Sequence, residues 1–319
     1  MYALAGRAAG LPVSDPVPTF TAHDGTILAY RVTGRGEPLV VLPGGPMRAG
    51  EYLGDLGGLA DHRTLHILDL RGSGSSAVPA DPESCRCDRQ VADVESFRIH
   101  LGLGTADVLA HSAGATLALL YAIRHPSRIR SLALVTPSLR AVRAEFDPAE
   151  LGEALAARPE QPWTAAAASA IASLTAGTEA DWAALAPLSY GRWDDVARAD
   201  EAAGKHQIPP GAGALYYAPG GLDPAATRRA LGQLTAPVLV LAGELDWQPL
   251  PRLAREFAAE FPQGVFAEVP GGGHSPWLDD PAEFTRLVAA FLAMIPAPTV
   301  PPAPVPPATL PAAPVPEVR

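Results

Sequence analysis

Six short apolar runs recur along the chain, PLVVLPGG, RTLHILDLRG, ADVLAHS, IRSLALVTP, APVLVLAGE and VFAEVPGG, each of strand length and each closed by turn residues. Near-continuous apolar runs are what strands covered on both faces require, and that is the condition of a parallel sheet. Between them stand RQVADVESFRIHLGL, GATLALLYAIRH, LPRLAREFAAEF and PAEFTRLVAAFLAMI, whose apolar residues return at intervals of three and four. That spacing marks one face of a helix. Strand alternating with helix predicts an α/β fold, a doubly wound and mostly parallel sheet with helices on both sides. The sheet opens differently. In PTFTAHDGTILAYRVTG the Asp24-Gly25 step suits a tight turn with positive φ, so two antiparallel strands are expected first.

The alternation fails between Ser138 and Leu234, where the sequence turns alanine-rich and helical without another buried strand run. The pattern predicts an inserted helical cap over 138–234, with the α/β core made from 1–137 and 235–295. The tryptophans Trp163, Trp182 and Trp193 of the insertion either line a substrate cavity or glue a small core of its own. From Pro296 to Arg319 there are ten prolines in 24 residues. Proline brings no backbone donor, so 296–319 reads as an extended or disordered tail whose removal spares the core.

Acidic residues outnumber basic ones by 34 to 24, a formal charge of -10, which disfavours a broad electrostatic grip on nucleic acid or an anionic membrane. No stretch reaches the roughly 18 uninterrupted apolar residues of a spanning helix. The short apolar N-terminus is interrupted by Arg7, against a secretory signal, and a globular cytoplasmic protein is expected. The 2 cysteines, Cys85 and Cys87, lack the two-residue spacer of a redox or zinc motif and read as free thiols. Oligomeric state has no signature here.

The strand ADVLAHS runs directly into the helix AGATLALLYAI, with Ser112 at the junction. A strained strand-to-helix turn projects a serine Oγ above the sheet, provided its neighbours two away are small, as Ala110 and Gly114 are. A serine nucleophile needs a base, and the base needs an orienting carboxylate. Asp246 follows one late strand in GELDW and His274 follows the next in GGGHSPW. Both therefore fall just past strand C-terminal ends, where open α/β sheets build their sites. Glu244 is the rival carboxylate. The developing oxyanion needs two N–H donors: Ala113, after the serine, is one, and the Gly44-Gly45 turn of LPGGPM supplies the other, with Gly45 preferred. No metal or organic cofactor is called for.

These pieces together resemble the α/β-hydrolase superfamily, and within it most closely the prolyl aminopeptidase (proline iminopeptidase) family, over roughly Phe20 to Ile295. LPGGP at Leu42–Pro46 is similar to that family's H-G-G-P-G loop, DLRGSGSS at Asp69–Ser76 to its D-x-R-G-x-G-x-S segment, and AHSAGATLALLYAIRHP to its elbow and helix. The resemblance implies Ser112, Asp246 and His274 as a triad, Gly45 and Ala113 as oxyanion donors, and the insertion as a cap over the active site. Pro43 stands in place of the loop histidine and Met47 in place of its last glycine. Arg71 is expected to brace loops around the serine rather than to bind substrate.

The expected activity is a serine hydrolase working through an acyl-enzyme on a small molecule or short peptide. Removal of N-terminal residues, proline included, is what the resemblance implies; a carboxylesterase, lactonase or thioesterase is the alternative. An aminopeptidase must hold a free ammonium, for which Glu179, Asp181, Asp194, Asp195, Asp200 and Glu201 of the insertion are available, although they equally suit a solvated helix face. A non-hydrolytic binding protein or a lyase on the same fold is the remaining reading.

Overall fold

The computed structural model describes residues 17–143 and 146–296. The N-terminal residues and the proline-rich tail beyond Pro296, for which a signal and an extended spacer were weighed above, lie outside it. Eight strands form one sheet in the order β1-β2-β4-β3-β5-β6-β7-β8. They are β1 (Thr19–Thr21), β2 (Ile27–Gly34), β3 (Pro38–Leu42), β4 (Thr64–Leu68), β5 (Ala106–His111), β6 (Ile129–Val135), β7 (Val238–Gly243) and β8 (Gly264–Val269). The first two pair antiparallel around the Asp24-Gly25 turn, β2 runs antiparallel to β4, and every remaining neighbour is parallel.

Alternation along each strand sends residues to two separate cores. Val40, Leu42, Val108 and Leu132 face one side, under α1 (Val91–His100), α2 (Ala113–Arg124) and, further along, α8 (Pro251–Ala258). Leu39, Val41, Leu109 and Ala133 face the other, where α9 (Pro276–Asp279) and α10 (Pro281–Ala293) bury Trp277, Phe284 and Val288. The helix starts are chemically specified. Asp280 accepts the N–H of Glu283 at 3.0 Å and Pro281 occupies the first helical position, so α10 begins with a satisfied cap.

Between β6 and β7 the described residues contain helices only, among them α3 (Ala149–Ala156), α4 (Thr164–Thr175), α5 (Asp195–Gln207), α6 (Ala212–Tyr216) and α7 (Pro224–Leu231). Leu151, Ala154, Ala167, Ala170, Leu185 and Leu188 form a third core here, and it is completed by Trp247 and Leu250 from the loop after β7. Trp163 packs at the edge of this core, whereas Trp182 is 58% exposed. The core role considered for the tryptophans therefore fits Trp163 and not Trp182.

Candidate active site

Ser112 joins β5 to α2 with φ 50 and ψ -120, a left-handed conformation that costs an L-residue about 1–3 kcal/mol. The strands on either side hold it there. Its N–H donates to Val135 O at 3.0 Å, and its carbonyl accepts from Ser138 N and Ala115 N, both at 3.0 Å. Small neighbours are needed because α2 starts hard against the end of β3. A Cβ on Gly114 would meet Leu42 O at 2.6 Å and Pro43 O at 2.5 Å, and one on Gly44 would meet Ser112 Cβ at 2.8 Å.

His274 Nε2 lies 2.8 Å from Ser112 Oγ, and its Nδ1 lies 3.0 and 3.1 Å from the two oxygens of Asp246. Asp246 is buried, and Gln248 N also donates to it at 2.9 Å. Three residues separated by 162 and 28 positions in the chain are therefore in hydrogen-bonding series. Glu244 is directed elsewhere, accepting from Gly271 N at 2.7 Å. The turns carrying Asp246 and His274 meet backbone to backbone, which explains their glycines: a Cβ on Gly243 would fall 2.2 Å from Gly273 O. Asp279 secures the second turn by accepting from Gly273 N, Gly191 N and Arg192 N at 2.8, 3.1 and 3.2 Å.

On the opposite side of Ser112, the Gly44 N–H donates to Tyr52 Oη at 2.8 Å. Among the described residues the N–H groups of Gly45 and Ala113 have no protein acceptor. They are thus available to an oxygen bound beside Ser112. Arg71, expected as a brace, is buried and donates to Asp93 and, at 2.6 Å, to Asp24, while Asp69 accepts from Gly50 N and Ser75 N at 2.7 and 2.9 Å. The segment holds the loops together, and the small cavity that Arg71 borders with His23, Asp24 and Arg89 contains none of Ser112, Asp246 or His274. Cys85 and Cys87 are buried and free, with burial pushing the Cys87 thiol up to about 12. Among the described residues no three His, Cys, Asp or Glu side chains converge as a metal-holding group, and no helix is long and apolar enough to cross a membrane.

Four participants carried no signal in the sequence. Thr136, at φ 41, donates its Oγ1 to His274 O at 2.8 Å. Arg158 reaches from the end of α3 to the carbonyls of Leu188, Tyr190 and Leu245, so it staples the insertion to the residue before Asp246. Arg48 extends from the loop after β3 to Asp200 on α5, and Tyr52 contacts His111. Each is brought in by tertiary packing and belongs to no local motif.

A cavity of 320 Å³ has Ser138, Leu139, Phe146, Trp182, Trp247 and Pro249 in its wall. Ser138 and Trp247 adjoin the site, by a hydrogen bond to Ser112 O and by following Asp246, while Ser112, Asp246 and His274 themselves are not part of its lining. Its size suits a compact ligand group. Arg143 and Glu150 at its margin pair at 2.5 Å. None of the six carboxylates considered for an ammonium lines it. Asp181 and Asp194 instead cap helix starts, accepting from Ala183 N and Ala197 N at 3.0 Å, Asp195 pairs with Arg198, and Asp200 with Arg48.

A family model for the alpha/beta hydrolase fold matches residues 37–281. The chain is 27% identical to a proline iminopeptidase of Heyndrickxia coagulans over 82% of its own length and 92% of that protein. It is 30% identical to a pimeloyl-[acyl-carrier protein] methyl ester esterase of Chromobacterium violaceum over 83% of its length and 98% of the other. The solved proline iminopeptidase of Mycobacterium smegmatis superposes with a TM-score of 0.67 at 26% identity, covering 86% of this chain and 97% of that one.

Proposed function

The chain belongs to the alpha/beta hydrolase fold family, and from that premise we propose that it is a serine hydrolase acting through an acyl-enzyme on compact acyl esters. The observation that carries the reading is the imidazole of His274, placed 2.8 Å from Ser112 Oγ on one side and 3.0 Å from the Asp246 carboxylate on the other. Asp246 accepts from Nδ1–H, which leaves Nε2 as the bare nitrogen facing the hydroxyl. Ser112 Oγ attacks the carbonyl carbon as His274 Nε2 takes its proton. The oxyanion is met by the N–H groups of Gly45 and Ala113, and Asp246 stabilises the imidazolium. Collapse expels the alcohol, which leaves with the proton from Nε2. Water then repeats the sequence against the acyl-enzyme and frees the acid and Ser112.

The choice of ester over N-terminal amide rests on the prior commitments of the carboxylates. A free ammonium needs an unpaired, partly desolvated carboxylate close to the reacting serine, and Asp200, the least exposed of the candidates with a mapped partner, is already matched by Arg48. Iminopeptidase activity is the second reading, favoured by the near full-length similarity to two proline iminopeptidases. A turnover panel separates them: short acyl esters and lactones against aminoacyl anilides, proline included, each with Ser112→Ala as control. We expect ester turnover that vanishes in Ser112→Ala. Anilide cleavage that depends on a free amino terminus overturns the substrate assignment, and activity surviving Ser112→Ala overturns the mechanism.

A further inference from the structure

A second hydrogen-bonded series runs behind Ser112, and its chemistry permits only one direction. His111 Nε2 lies 2.9 Å from the carbonyl oxygen of His274. A carbonyl only accepts, so Nε2 carries the hydrogen. Burial and the neighbouring His274 hold the His111 imidazole far below its usual range, and it is neutral. Its Nδ1 is therefore a bare acceptor, and the partner 2.6 Å away, Tyr52 Oη, must be the donor. Burial pushes the Tyr52 phenol up, which keeps that proton in place. The phenolic oxygen in turn accepts the Gly44 N–H at 2.8 Å.

The series reads Gly44 N–H to Tyr52 O–H to His111 Nδ1, then His111 Nε2–H to His274 C=O. Its two ends are the turn that presents Gly45 and the backbone of the proposed base. Pro43, the residue leading into that turn, supplies neither an N–H nor a polar side chain. The turn also sits tight against Ser112 and His111, since a Cβ on Gly44 would lie 2.8 Å from Ser112 Cβ and 2.9 Å from His111 Nδ1. A small rotation of the Gly44 peptide would carry Gly45 with it, and oxyanion donors are effective only within about 2.7–3.1 Å of the developing charge.

We propose that Tyr52 and His111 are positioning residues that lock the Gly44–Gly45 turn to the His274 backbone. The assignment rests on the serine-hydrolase reading above. Neither side chain touches substrate; both act through the groups they hold. Tyr52 is itself fixed by the Arg48 guanidinium, 4.2 Å above its ring, so its hydroxyl is aimed without freedom to swing.

The test is Tyr52→Phe, which keeps the ring and its packing and removes only the hydroxyl. Ester turnover should lose about 10- to 100-fold in kcat with KM within about threefold, as a displaced reacting geometry predicts. Affinity for an alkyl boronic acid, whose tetrahedral adduct on Ser112 places an oxygen at the Gly45 and Ala113 amides, should fall by the same factor. Affinity for the carboxylic acid product should not. Tyr52→Phe combined with His111→Leu should cost far less than the product of the single losses, because either change breaks the same series. Wild-type kcat in Tyr52→Phe, or equal weakening of boronate and product, overturns the proposal while leaving Ser112-dependent hydrolysis intact. Turnover that persists in Ser112→Ala removes the hydrolase reading itself. Should the double variant not fold, Tyr52→Phe decides alone.

Discussion

Arg48 leaves the loop after β3 and meets Asp200 on α5, Nη2 to Oδ1 at 2.7 Å, with both side chains largely buried at 11% and 13% exposure. Tyr190 donates to the same carboxylate at 2.8 Å and Gln207 accepts from Arg48 Nε at 2.7 Å. The insertion is thereby fastened to the segment that presents Gly45. Replacing Asp200 by Asn leaves a guanidinium buried without its counter-charge, a loss of about 3 kcal/mol. Urea unfolding of Asp200→Asn against wild type measures it. A change below about 0.5 kcal/mol would mean that the pair is solvated in solution.

Asp246→Asn keeps the shape of the site but offers an amide donor toward Nδ1, which drives the His274 proton to Nε2, facing Ser112. The expected outcome is a loss of about 10⁴ in kcat with a folded protein and little change in KM. Glu244→Gln, whose carboxylate is turned to Gly271 N, is expected to leave kcat within threefold. Steady-state kinetics on one ester substrate check both, and equal losses in the two variants would return the assignment to Glu244.

Trp182 lies in the cavity wall and is 58% exposed, so little of its ring is held in the protein core. Trp182→Ala should raise KM for longer acyl esters about tenfold, equivalent to about 1.4 kcal/mol, with kcat held and stability changed by less than about 0.5 kcal/mol. A chain-length series of p-nitrophenyl esters reads the difference. Unchanged KM across the series would place the acyl group elsewhere.

His66 lies in β4, 6% exposed, with its Nδ1 buried and without a hydrogen-bond partner among the described residues, and burial lowers its pKa to about 4. The unfolded chain takes up a proton near pH 6.5, whereas the folded one resists until about pH 4, so the unfolded state gains protons first on acidification. Stability from this group is complete above pH 6.5 and falls between pH 6.5 and about pH 4, by roughly 3 kcal/mol in all. His111 pulls in the same direction. His66→Leu should flatten the unfolding free energy over that window while leaving it nearly unchanged at pH 8. An equally steep acid limb in the variant would assign the loss to other groups.

What the sequence conveyed and what it withheld divide along physical lines. The strands, the Ser112 turn and the order Ser112, Asp246, His274 are legible because each is written locally: an apolar run, a step to a helix, a glycine turn. Asp246 and Glu244 stand two residues apart in one turn, and packing alone directs the first to His274 and the second to Gly271 N. Tyr52 stands 59 positions from His111, and Arg48 152 from Asp200. No periodicity or turn chemistry links such pairs, so they become visible only when the sheet sets their loops side by side. His111 is the instructive case, since it adjoins Ser112 in the chain while its two partners lie on other strands' loops. The carboxylates of the insertion show the reverse. Their number invited an ammonium-binding role, whereas helix capping and ion pairing account for those whose partners are seen.

Trp247 and Leu250 belong to the turn that carries Asp246, yet they finish the core of the helical insertion. A transplant of that insertion from a relative would thus need the residues after β7 to travel with it. Exchanging the helices alone would leave a hole beneath the new lid and a loosened carboxylate below it. The packing of the helical insertion and the placement of the Asp246 turn are thus one mechanical unit, and neither can be redesigned without the other.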